Sequence, residues 1–365
     1  MKVKIKRDIL VKALKKISGV VSLGRRTHFR AAHYVLVETK SNGVSLTATD
    51  LSVNIRVTVE AEIVQEGSVA LAGQKLLEYV ELLGDDVVVI KDDKIICGNA
   101  SSKFHSIPVD EYPEFPLEET DFVSMKSDDL KEIIRQTVFA AGTDDCRPNL
   151  EGVCFEKNES FLRLIGTNGR RLAISQAGYC EKASAIDNDG GVIIPRKTLK
   201  EIARISDDGD KSIQIGIAGD KAIFKTYDTI LIAQLIDGQF PDYHRVVKGN
   251  DEREIIAMGI SKKQLLRSLS RIKVIARNAA DGRMSITRDN NHLILKSDTL
   301  NGSVSDEVEI TEGSAEDSSE DSNDAFEISL NHSYLFDAVN AVVSDTVQLE
   351  VCGGNVPLVV KGDGR

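Results

Sequence analysis

An α+β protein built from three copies of one unit is what this sequence predicts. Three observations carry that reading: two helical patterns that each recur three times, short alternating β-branched runs between them, and turn signals punctuating the runs. The first helical pattern is IKRDILVKALKKIS (5–18), MKSDDLKEIIRQTV (125–138) and ISKKQLLRSLSRIK (260–273). It places Leu10, Leu130 and Leu265 in one register, offset by 120 and then 135 residues. The second is ALAGQKLLEYVELL (70–83), IIPRKTLKEIARIS (193–206) and ISLNHSYLFDAVNA (328–341), with Leu76, Leu199 and Leu335 aligned at offsets of 123 and 136.

Strand signals fill the spaces. VSLTAT (44–49), VNIRVTVEAEI (53–63), VVVIKDDKIIC (87–97), FLRLIGT (161–167), SIQIGI (212–217), AIFKTY (222–227) and HLILKS (292–297) alternate with period two or run β-branched. Asn42-Gly43, Asp92-Asp93 and Gly219-Asp220 mark turns. Each copy therefore holds two helices and antiparallel sheets, with copies at 1–119, 120–249 and 250–365. The boundaries fall in two linkers rich in Pro, aromatic and acidic residues, 108–120 and 240–254. The extra length of the third copy falls around the acidic 312–324 loop.

The chain of 365 residues carries a formal charge of −11, which by itself argues against a polyanionic partner. Its charge is segregated, however. Residues 1–30 hold ten Lys or Arg against one Asp, and residues 305–324 hold nine acids and no base. Five cysteines at irregular spacing, with no C-x-x-C pair, imply reduced thiols in a cytoplasmic protein. No apolar run reaches the ~20 residues of a bilayer span, so no membrane association is expected.

No nucleophile–base pair, phosphate-binding glycine loop or metal-ligand spacing is present among the motifs, so neither catalysis, a cofactor nor a metal is indicated. Asp187-Asn188-Asp189-Gly190 resembles the start of a calcium loop, but its twelfth position is Thr198 where a bidentate Glu is needed, and it reads as a turn. The helix faces are more informative. Lys263, Arg267 and Arg271 stand four residues apart, and the matching helices carry Lys12, Lys15 and Lys16 in the first copy and Lys131 and Arg135 in the second. Lys197, Lys200 and Arg204 line the other helix of the second copy. Repeated cationic stripes without aromatic residues or Asn and Gln base-readers indicate sequence-blind contact with a duplex backbone. Stacking on single strands is not indicated.

GTNGRRLA (166–173), IIPRKTLKEI (193–202), DGQFPDYHRVV (237–247) and NHSYLFDAV (331–339) resemble motifs of bacterial sliding clamps, the β subunit of DNA polymerase III. The family shows T-D-G-H-R-L, P-R-K, F-P-D-Y-x-R-V and N-x-x-Y-L in the same order. The resemblance implies a head-to-tail homodimer closed into a ring. Its helices would line a hole that holds double-stranded DNA, tethering the polymerase for processive replication. It adds Arg25, Arg147 and Arg196 to the DNA-binding set. It also implies a pocket for partner peptides, formed by Leu150, Thr167, Gly169, Arg170, Arg171, Leu172, Pro241, Arg245, Val246, Asn331 and Tyr334. Its users would be the DNA polymerase III catalytic subunit, the clamp loader and other proteins with a clamp-binding motif. A dimer interface would join Lys103 and Phe104 to Val274 and Ile275, with Asp306 and Glu307 nearby.

The sequence departs from the family at Asn168 and Arg170, where the family has Asp and His, and at Thr27-His28-Phe29-Arg30-Ala31. The family's closing strand, roughly M-P-M-R-L, has no counterpart after KGDGR (361–365), so the third copy is expected to lack a strand. That absence favours a second reading, a diverged clamp-like protein-binding adaptor that does not load on DNA. The basic stripes favour the clamp.

Overall fold

The computed structural model describes residues 1–21, 28–41, 43–84, 86–143, 147–179, 191–206, 211–248, 255–276, 282–300, 302–313, 326–351 and 357–362. The Asp187–Gly190 turn and the acidic run 316–324 lie outside these residues. Seven helices are described: α1 (Arg7–Ser18), α2 (Gly73–Glu81), α3 (Ser127–Thr137), α4 (Arg196–Ile205), α5 (His244–Lys248), α6 (Lys262–Ala276) and α7 (His332–Ala341). Among the described residues no helix is long and apolar enough to cross a membrane.

All but α5 are entered directly from a strand. Strands Lys2–Lys6, Val123–Lys126 and Ile256–Ser261 precede α1, α3 and α6, so Ile5, Met125 and Ile260 are strand residues rather than the first turn of a helix. The reason is local: Val3 and Ile5, Val123 and Met125, and Met258 and Ile260 alternate with period two, and all six are buried. The first amide of each of these three helices finds a backbone partner. Arg7 donates to the Asp86 carbonyl at 2.8 Å, Ser127 to Lys211 at 3.3 Å and Lys262 to Asp345 at 2.8 Å. α1 and α3 have no side-chain cap, so a neighbouring turn satisfies an end that a Ser or Asp usually would.

The chain forms two units, 1–165 with 174–240, and 166–173 with 241–365. In the first unit a nine-stranded sheet runs in the order Ser106–Ile107, Ser68–Ala72, Tyr34–Lys40, Gly43–Thr49, Val53–Val59, Thr229–Gln234, Lys221–Lys225, Ser212–Ala218, Val123–Lys126. Copies one and two join where Val53–Val59 pairs antiparallel with Thr229–Gln234, Ile55 opposite Leu231. A single apolar core runs through both copies, from Met1 and Leu10 to Leu231 and Ala233. The linker between the copies is pinned by Tyr112, whose buried hydroxyl donates to the Thr47 carbonyl at 2.9 Å. Burial pushes that phenol well above its ordinary pKa.

The second unit has its own core, with Leu265, Leu269, Ile272 and Ala276 of α6 packed among Met284, Leu295 and Leu349. Its seven-stranded sheet ends in Ile256–Ser261, Thr346–Val351 and Val359–Gly362. The matching row in copy one is Lys2–Lys6, Val87–Lys91, Lys94–Cys97 and Ala100–Lys103. Among the described residues the third copy's row has no fourth member.

Candidate functional site

The cationic faces are present but unequal. On α6, Lys263, Arg267 and Arg271 are all exposed. Arg271 is not a free cation: its Nε donates to Asp306 on strand Gly302–Gly313. That hydrogen bond raises the Arg271 pKa and lowers that of Asp306. The sequence reading assigned these two residues to different surfaces; the fold makes them partners.

α1 shows a larger departure. Lys12 and Lys15 are exposed, Lys15 with Glu81 at 3.0 Å, whereas Lys16 is buried. Its ammonium donates to both carboxylate oxygens of Asp228 at 3.0 Å. A solvated stripe was expected there, and Lys16 instead joins a helix of copy one to a strand turn of copy two. Arg204 of α4 works on the same junction. Its guanidinium donates to the Lys15 and Lys16 carbonyls at 2.6 Å and to Glu201 at 2.6 Å. It thereby caps the C-terminal end of α1 with a cation. Gly19 makes room, because a Cβ there would meet the Glu201 carboxylate at 2.0 Å.

At the other end of α4, Lys197 is ion-paired with Asp50. Lys200 has its pKa lowered, first by desolvation and then by the Arg196 cation. Arg196 and Lys131 are half-buried, and Arg135 and Arg147 are exposed. Arg25 lies outside the described residues.

The second unit gathers most of the expected peptide-pocket residues. In the hairpin tip 166–173, the Thr167 hydroxyl accepts from Gly169 N at 3.0 Å and donates to the Arg171 carbonyl at 2.7 Å. The Asn168 carboxamide oxygen accepts from Arg170 N at 3.0 Å and Arg171 N at 3.1 Å. Gly169 sits at φ 81°, the left-handed region that this turn requires. The tip is held to α7 by two links. Asn168 Nδ2 donates to the Tyr334 hydroxyl at 3.4 Å, and Arg171 Nη1 to Asp337 at 2.7 Å. The Arg171 guanidinium also lies 4.6 Å from the centre of the Tyr334 ring. Asn331 caps α7, its side chain accepting from Ser333 N at 2.8 Å and Tyr334 N at 3.3 Å.

Leu172 is half-buried, and Arg170, Pro241, Arg245 and Val246 are exposed, Arg245 paired with Asp242 at 3.0 Å. Leu150 falls in the first unit, where it is buried.

Of the residues expected at a dimer interface, Lys103 is exposed and pairs with Asp93 at 3.1 Å. Phe104 packs edge-on against Tyr79, with ring centres 5.4 Å apart. In the second unit Val274 is 72% exposed, Ile275 half-buried and Glu307 exposed.

Sequence reading missed the carboxylates: Asp50, Glu81, Glu201, Asp228 and Asp337. One signal was available. Thr49-Asp50-Leu51 and Thr167-Asn168-Gly169 are the same turn in successive copies. In the first, the Thr49 hydroxyl accepts from Leu51 N at 3.0 Å and Asp50 from Val53 N at 2.8 Å, with Leu51 at φ 76°.

Models of the N-terminal, central and C-terminal domains of the DNA polymerase III beta subunit match residues 1–116, 124–242 and 251–364. The chain is 27% identical over 376 residues to a beta sliding clamp of Staphylococcus epidermidis, covering 99% of this chain and 95% of the relative. It is 28% identical over 375 residues to that of Vibrio cholerae, covering 99% and 96%. Among solved structures, the DNA polymerase III subunit beta from Pseudomonas aeruginosa matches with a TM-score of 0.87 at 25% identity, covering 100% of this chain and 97% of that one. The DNA polymerase sliding clamp from Bacillus subtilis shares the fold, with a TM-score of 0.88 at 24% identity and coverage of 100% and 96%.

Proposed function

The chain belongs to the DNA polymerase III beta subunit family, and from that membership we propose how its residues perform a sliding clamp's work. It is a replication processivity factor and not a catalyst. The observation that carries the proposal is the pair of exposed, separate cations Lys263 and Arg267 on α6, matched by the exposed Lys12 on α1 and joined by Lys200 on α4. Two head-to-tail copies close a ring around duplex DNA, and these side chains meet its phosphates. Phosphate contacts hold position without reading sequence. A ring retains DNA by topology, so each contact can be weak and exchange as the protein slides. The decisive test is retention on DNA: the loaded protein should stay on a nicked circle and leave once the circle is linearised. Equal loss from both would overturn the proposal.

The stripe is graded by its counter-ions. Lys263→Ala with Arg267→Ala should lower the slope of log affinity against log salt by roughly two units, at ~0.9 per phosphate released. Arg271→Ala should change it by less than Arg267→Ala, because Asp306 already neutralises that guanidinium. Anisotropy titrations on two unrelated duplexes check both statements.

The tip 166–173 with α7 forms the surface for partner peptides, from the polymerase catalytic subunit, the clamp loader and other clamp-binding proteins. Leu172 and Val246 supply apolar area, while Asn168 and Arg171 fix the tip against Tyr334 and Asp337. Arg171→Ala removes an ion pair and a cation–π contact at once. It should weaken a clamp-binding peptide by about tenfold in calorimetry, ~1.4 kcal/mol. On this reading the protein works in the bacterial cytoplasm, where the chromosome is copied.

A further inference from the structure

We propose that Tyr227 is a stacking contact for an unpaired DNA base, set beside the basic face of α1; this rests on the clamp reading above. Tyr227 is 97% exposed, in the turn between strands Lys221–Lys225 and Thr229–Gln234. Turns favour Gly, Asn, Asp or Ser, and nothing in this one requires a ring.

The turn is also rigidly held. Thr226 N donates to the Thr229 carbonyl at 2.9 Å, and Thr58 N to the Asp228 carbonyl at 2.8 Å. The Thr229 hydroxyl donates to Asp228 at 2.6 Å, and both Asp228 oxygens accept from Lys16. A large aromatic is therefore presented to water on a pre-ordered backbone, which lowers the entropy cost of docking something on its face.

The surroundings indicate what docks. Asp228 is consumed by Lys16, and Lys12 lies one helical turn before Lys16, about 6 Å along α1, exposed on the same face. An exposed aromatic tied through Asp228 and Lys16 to a helix that carries an exposed cation combines the two elements that hold single strands. In a duplex the base faces are already stacked, so the ring has nothing to receive. A primer–template junction, with paired and unpaired bases side by side, is the substrate that fits. The sequence separates Tyr227 from Lys12 by more than half the chain, which hid this aromatic from the stripe.

The chain contains no tryptophan, so Tyr227→Trp carries a single indole reporter. Titrated at low salt, a junction or an oligothymidine strand should quench the indole and a blunt duplex should not. Tyr227→Ala should bind the junction about fivefold or more weakly than the parent, and Tyr227→Phe within about twofold, with all three alike on blunt duplex. An unquenched indole with unchanged affinity for Tyr227→Ala overturns the inference. So does an indole that responds only to partner protein. If Lys263→Ala with Arg267→Ala weakens duplex binding while Tyr227→Ala changes nothing, this inference alone fails. A parent that binds neither DNA overturns this inference, while the clamp reading is tested separately by retention of the loaded protein on a nicked circle.

Discussion

Ile275→Asp should convert the proposed head-to-tail dimer to monomer, weakening self-association by about a hundredfold or more. An apolar side chain at the centre of an interface carries a disproportionate share of its energy, and a carboxylate there loses its water without gaining a partner. Ile275 is suited to that part: it is half-buried at the C-terminal end of α6, beside the exposed Val274. A Cβ added at Gly302 would lie 3.8 Å from its Cδ1, and Leu300 nearby in sequence is fully exposed. The helix itself should survive, because its core contacts are Leu265, Leu269, Ile272 and Ala276. Sedimentation equilibrium over a wide concentration range is the measurement. A variant with the parent's dimer mass would show that this patch is not where two copies meet.

Asp228→Ala should destabilise the first unit by about 3 kcal/mol. The loss combines a missing attraction with the cost of keeping a desolvated charge. Lys16 has a side-chain exposure of 8% and would be left with its ammonium cut off from most solvent. The discriminating variant is Lys16→Met with Asp228→Ala, which removes both charges and should recover most of the loss. Urea unfolding followed by circular dichroism separates the cases. If Asp228→Ala and the double variant unfold together, the ion pair contributes through shape rather than charge.

The three-copy plan was legible in the sequence because each copy repeats the same apolar spacing, and repetition suppresses chance matches. Helix starts were read too early at Ile5, Met125 and Ile260 because those residues fit a period of two and a period of 3.6 equally well. The site was legible where it is local. The turn at Thr167–Arg171 depends on neighbours in the chain, and Asn331 caps the helix that follows it. It was illegible where it depends on distant partners. Lys16 has the same spacing from Lys12 as Arg267 from Lys263, yet it is buried and paired with a carboxylate 212 residues away. Arg204 and Arg271 were hidden for the same reason: a stripe on a helical wheel does not show which members already have a counter-ion.

The strand pairing of Val53–Val59 with Thr229–Gln234 has a consequence for how the chain opens. Five residue pairs in that ladder belong to different copies, from Thr229 opposite Val57 to Ala233 opposite Val53. A cut between residues 119 and 120 would leave both strands as bare edges, each a template for aggregation. Copies one and two should therefore behave as one cooperative foldon, although they are two repeats in sequence. Amide protons of Ile55 and Leu231 should exchange with deuterium at the same slow rate, set by opening of the whole unit.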